Sequence, residues 1–208
     1  MILKKAPPLL ALMTGTILAA TFALIFQQNI ILELTSTNNL HCVRGPLTQK
    51  ILFERGLYCN NLVYGDPALL LSKFYKPKIV ASLSEKIGIV PHMTQIENYI
   101  NIKDINPKYH LINPTQKWEN VIDDIASCAC IVSSSLHGLI CSDAYNIPNI
   151  WLNEIKLNEG NFKFFDYFFS QNRPINSIND LNTFNYQKTY KKGNRLPIDE
   201  IIESFPFF

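Results

Sequence analysis

The chain has 208 residues, 47% of them apolar and 17% charged, a globular composition with an apolar bias and not a disordered one. Its formal net charge of +2 is too small to argue for nucleic acid, and no basic arm, zinc-finger spacing or aromatic RNA-binding motif accompanies it. Five cysteines, Cys42, Cys59, Cys128, Cys130 and Cys141, form an odd and scattered set, a poor disulfide framework that leans towards a reducing compartment. Cys128 and Cys130 make C-x-C, which reads as two small buried hydrophobes; no further ligands in register complete a zinc site.

The N-terminus stands apart. Lys4 and Lys5 precede a stretch, residues 6–32, without a charged side chain. Its most apolar part, residues 7–26, is long enough to cross a bilayer core as a helix. A signal peptide would need a small-residue cleavage site before a polar mature start, and none is evident. Two readings stand for residues 1–37: an uncleaved membrane segment, or an apolar element of a larger fold. With Lys4 and Lys5 inside, the domain would lie outside, in conflict with the thiols.

"STNN" at 36–39 is a linker or turn, and residues 38–208 read as one domain. "LHCVRG" is a short strand ending at Arg44 and Gly45. "PLTQKILFERG" opens on proline and closes on glycine, the usual asymmetry of a helix. Asp66 and Pro67 suit the cap and first position of a second helix. "KIGIVPH" (86–92) and "KYHLINP" (108–114) are strands. Residues 115–127 form a helix with Trp118, Val121, Ile122 and Ile125 at helical spacing. "CACIVSS" (128–134) is a strand without polar alternation, as expected when both faces are covered. A helix over "SLHGLICSDAYN" and a strand "IPNIWL" follow. Further on, Phe164, Phe165, Phe168 and Phe169 recur as a core stripe, and a short amphipathic helix ends the chain. Strands alternating with helices imply an α/β fold with a mostly parallel sheet.

In such sheets ligands sit at the carboxyl ends of the strands. That rule selects His92 and the segment Ser133–His137, which both follow apolar strands. A helix starting near Ser134 buries Leu136, Leu139, Ile140 and Ala144 on one face and leaves His137 at its edge. First-turn amides and the hydroxyls of Ser133, Ser134 and Ser135 suit a phosphate or carboxylate. Serines at a helix start are also common caps. No G-x-S-x-G elbow marks a hydrolase nucleophile. Asp143 falls within the apolar stripe and needs a buried partner. Arg44 suits a carboxylate or phosphate in bidentate fashion, although a salt bridge is the commoner fate of one arginine. Asp66 is a cap before it is an acid.

Five segments, "VRGPLTQKIL" (43–52), "VYGDPALLL" (63–71), "KIGIVPH" (86–92), "SSSLHGLICSDAYNIPNIWL" (133–152) and "GNFKFFDYF" (160–168), together resemble the polysaccharide pyruvyl transferase family. The resemblance is to its C-terminal portion, with the N-terminal domain largely missing. It implies a Rossmann-like three-layer domain, one half of a glycosyltransferase-B-like fold. It implies transfer of a pyruvyl group from phosphoenolpyruvate to the hydroxyls of a surface polysaccharide. By resemblance His137 is a functional residue and Arg44 a donor-binding candidate; His92, Asp66 and the three serines complete the expected site. Ser135 stands where some members carry an arginine before the Leu-His pair. Phosphoenolpyruvate and a saccharide are the expected partners, with no cofactor and no metal. The expected location is the cytoplasm, with membrane attachment through residues 7–26. Alternatives are an inactive, truncated member, a membrane-tethered binding module, or another transferase of related fold.

Overall fold

A computed structural model describes residues 41–58, 61–154, 161–191 and 196–204. The apolar segment 7–26, the linker 36–39 and Cys59 lie outside the described residues. In chain order the elements are β1 (Cys42–Val43), α1 (Pro46–Glu54), β2 (Val63–Tyr64), α2 (Leu71–Phe74), β3 (Ile87–Val90), α3 (Ile102–Ile105), β4 (Tyr109–Leu111), α4 (Trp118–Ser127), β5 (Cys130–Ser133), α5 (Leu136–Ala144), β6 (Asn149–Leu152), α6 (Phe162–Ser170), β7 (Ser177–Ile178) and α7 (Ile198–Glu203). Among the described residues no helix is long and apolar enough to cross a membrane.

The described residues divide into two compact units. The first takes residues up to Pro67 together with Phe162–Asn172 and the segment from Pro197; the second takes Ala68–Asn161 and Arg173–Leu196.

The second unit is a Rossmann-like α/β layer structure around a five-stranded parallel sheet of order β4-β3-β5-β6-β7. β5 and β6 are buried along their whole length, because both faces of the sheet are covered. Alternation along the strands sorts their side chains between two cores. Val90 and Ile131 join Ile112, Ile122, Ile125 and Cys141 on one face. Ile89, Val132, Ile150 and Leu152 join Tyr99, Ile102 and Ile178 on the other. The register agrees, since Ile89 pairs with Val132 and Val132 with Ile150. α4 and α5 therefore cover one face, while the segment from Met93 to α3 covers the other.

The first unit holds the parallel pair β1–β2 with α1, α6 and α7. Pro46 opens α1, and Gly56 closes it at φ +79°. The Gly56 and Leu57 amides then bond the Phe53 and Leu52 carbonyls, satisfying two orphan acceptors at the helix end. α6 buries Phe164, Tyr167 and Phe168, while Phe165 is half-buried and Phe169 is 46% exposed. The expected four-phenylalanine stripe is thus corrected: Tyr167 takes the inner position at i, i+3, i+4 spacing. Phe165 and Phe169 stack on each other beside it.

Candidate functional site

The strand order creates the site. β3 is followed by β4 on one side, and the chain then returns to β5 on the other side of β3. This is a topological switch point, where an open parallel sheet forms a crevice beyond the strands' carboxyl ends. The connection leaving β3 runs to one face, carrying Tyr99 and Ile102. The helix leaving β5 packs on the other face through Cys141. His92 begins the first connection and His137 lies in the first turn of the second. The two histidines therefore belong to opposite lips of one crevice.

The serines join the lips. Ser133 Oγ lies 2.8 Å from the Val90 and Ser135 carbonyl oxygens and accepts the Ser135 N–H at 3.0 Å. Ser134 Oγ accepts the His92 N–H at 2.9 Å and donates to Gln95 Oε1 at 3.1 Å. Both side chains are buried. Their hydroxyls hold the end of β5 against the end of β3. Ser135 is half-buried and is the capping residue of α5, but its side chain makes no cap bond. The helix begins at Leu136, directly after Ser135, close to the expected start.

α5 sits very close to β5. A Cβ on Gly138 would lie 2.3 Å from Ser133 Oγ and 2.9 Å from Val90 Cγ1. Glycine there lets the helix start approach the strand ends. Leu136, Leu139, Ile140 and Ala144 are buried as expected, and His137 is exposed. His92 is half-buried, and its Nδ1 lies 2.8 Å from Thr94 Oγ1, with the Thr94 amide pointing at the same nitrogen. That turn orients the imidazole.

One carboxylate at this edge escaped sequence reasoning. Ile150 and Leu152 face one core, and Glu154 is next in that alternating row. The β6–β7 ladder continues to Asn153, whose amide bonds the Ile178 carbonyl at 2.7 Å. Glu154 is exposed and accepts a hydrogen bond from the buried Tyr99 hydroxyl. Burial first, then the Glu154 carboxylate, push the Tyr99 pKa up, so it remains a donor. The strand-end rule that singled out His92 would have found Glu154 two residues past "NIWL".

Arg44 and Asp66 belong to the first unit and pair with each other, Nε to Oδ2 at 3.2 Å, at 4% and 2% exposure. The salt bridge is therefore buried. Close by in the same unit, Asp166 accepts from the Leu47 amide at 2.8 Å, the Thr48 amide at 3.1 Å and the Thr48 hydroxyl. A carboxylate from α6 thus satisfies the start of α1. Burial raises the Asp166 pKa, and these donors with Arg44 oppose the rise. Asp143 has its buried partners in the second unit: Arg173 Nη1 at 2.8 Å and Asn149 Nδ2 at 2.8 Å.

A family model described as polysaccharide pyruvyl transferase matches residues 26–154, more than half of the chain. A protein of Acanthamoeba polyphaga mimivirus, described only as uncharacterised, is 27% identical over 132 residues. That alignment covers 61% of this chain and 46% of the viral protein, so the chain spans about half the length of that curated relative. No solved structure matches.

Proposed function

Because the chain belongs to the polysaccharide pyruvyl transferase family, we propose that its switch-point crevice serves pyruvyl transfer from phosphoenolpyruvate to saccharide hydroxyls. What supports this reading is that His92 and His137 follow the neighbouring strands β3 and β5 on connections that leave to opposite faces of the sheet, with the His92 amide bonded to Ser134 Oγ. Adding an alcohol to an enol ether needs a proton delivered to the methylene carbon and another removed from the hydroxyl. Imidazoles titrate in the range where both transfers occur at neutral pH. His137, exposed at the start of α5, is our choice for the proton donor, and His92, at the start of the other connection, is carried as a further catalytic candidate.

The first turn of α5 and the Ser135 hydroxyl are suited to the donor's phosphate or carboxylate. Ser133 and Ser134 act one step back, by holding that turn in place. Arg44 and Asp66 enter as a buried pair that fixes the turn after β1; we carry the expected donor-binding role of Arg44 as a proposal for the whole enzyme. The saccharide acceptor and the phosphoenolpyruvate donor are both carried over from the family. Thiols at Cys42, Cys128 and Cys130 favour a reducing compartment such as the cytoplasm.

The test is phosphate release by the full chain incubated with phosphoenolpyruvate and a panel of saccharides. The reading expects release by the wild type and its loss in His137→Ala. Donor binding without release by either protein would favour a binding module instead.

A further inference from the structure

Ketal formation on two hydroxyls sets a proton count. Two O–H protons leave the acceptor. One ends on the donor's methylene carbon, which becomes a methyl group, and the other leaves with the phosphate. A histidine that protonates carbon on one lip leaves the acceptor's hydroxyl proton to be taken elsewhere, so a proton acceptor on the opposite lip is the complementary requirement. Glu154 meets it. It extends the row Ile150–Leu152 beyond the sheet on the face that carries Tyr99, across the strand ends from the helix that carries His137. It is exposed, and its Oε2 is held by a buried tyrosine hydroxyl, so the carboxylate is oriented without being buried. Oriented carboxylates accept hydrogen bonds from hydroxyls well.

We propose that Glu154 is the acceptor-side proton acceptor of this crevice and that Tyr99 is the residue positioning it. The proposal rests on the pyruvyl-transfer reading. As the acceptor oxygen forms its bond to the donor's central carbon, its proton passes to Glu154. The double-bond electron pair takes a proton at the methylene carbon from the imidazole. The carbon–oxygen bond to phosphate then breaks, with its electron pair leaving on phosphate. The second hydroxyl adds to the same carbon, and its proton replaces the one the imidazole gave up. The proton held by Glu154 leaves with phosphate, which restores both groups.

The experiment uses the full chain, phosphoenolpyruvate, and methyl glycosides of galactose, glucose and mannose as acceptors. Phosphate release gives kcat and KM, and calorimetry gives the dissociation constant of phosphoenolpyruvate. Glu154→Gln, an exposed and isosteric change, is expected to lower kcat by ~10²-fold or more with donor affinity unchanged, while Glu154→Asp keeps part of the rate. Tyr99→Phe is expected to lower kcat less. The double variant should be no slower than Glu154→Gln alone, because a residue acting through another is not additive with it; a purely structural Tyr99 would add its own loss. A Glu154→Gln rate within twofold of an active wild type overturns the assignment of Glu154 and leaves the pyruvyl reading standing. A wild type that releases no phosphate with any acceptor overturns both.

Discussion

Asp143 and Arg173 illustrate what a single buried charge requires. Both side chains are 0% exposed, and Arg173 Nη1 lies 2.8 Å from Asp143 Oδ2. Arg173 Nη2 also donates to Asn149 Oδ1 at 3.2 Å, and the guanidinium lies 4.3 Å from the centre of the Tyr190 ring. The pair joins the end of α5 to the start of β6 and to the segment entering β7. Taking two charges out of water costs as much as their attraction returns, so the intact pair adds little net stability. Removing one partner is different, because the other charge stays buried. Arg173→Met is therefore expected to lower unfolding free energy by about 3–5 kcal/mol. Asp143→Leu combined with Arg173→Met should recover much of that loss. Urea denaturation of the two single variants and the double variant checks this. A double variant as unstable as the sum of the singles would mean the residues are not coupled.

At the scale of elements, α5 shows where local sequence is informative and where it stops. Its end was readable: Asn146 stands at φ 56°, and the Asn146 and Ile147 amides bond the Asp143 and Ser142 carbonyls, as a helix stop with asparagine should. Its apolar face was readable from spacing, as were β3, β5 and β6 from unbroken apolar runs. The strand order was not, because nothing within a strand states which neighbour it will take. Asp166 was missed for a related reason. It caps α1 from 118 residues away, and no local pattern encodes that separation. Arg173 is similar: its role exists only once β6 and its neighbours are in place. Gly138 belongs to this scale too. Alanine in a helix interior is favoured over glycine by about 1 kcal/mol, so propensity alone predicts that Gly138→Ala stabilises. The added Cβ would meet Ser133 Oγ at 2.3 Å, and that hydroxyl is held by the Val90 and Ser135 carbonyls. Overpacking a fixed neighbour costs about 1–3 kcal/mol, so the clash wins. Gly138→Ala should lower the unfolding midpoint and weaken donor binding, since α5 must move off the strand ends. Unchanged stability with unchanged phosphoenolpyruvate affinity would show that the helix tolerates the shift.

The whole chain carries a chemical signature that both compact units share, which is thiols held in apolar surroundings. Burial pushes Cys42 in the first unit, and Cys128 and Cys130 in the second, from 9.0 up to about 12. Tyr75, in the second unit, is pushed from 10.0 to about 12, by burial first and then by Asp123. These groups keep their protons in the folded chain after the unfolded chain has begun to lose them. Above the unfolded value the unfolded state binds fewer protons, so stability falls as pH rises. The contribution is complete below pH 9.0 and is lost on the way to about 12. Each thiol contributes a slope of up to about 1.4 kcal/mol per pH unit within that window. Three thiols acting together make alkaline unfolding steep, while the same burial keeps them slow to react with thiol reagents at neutral pH. Urea denaturation series run at steps from about pH 8 to about pH 10.5 should show a flat region followed by a steep decline. Cys128→Ala and Cys130→Ala are expected to lower stability at neutral pH by leaving small cavities, yet to flatten the alkaline slope, one thiol's share at a time. The slope is therefore the diagnostic quantity. A slope that stays the same in both variants would assign the alkaline loss to groups other than these thiols.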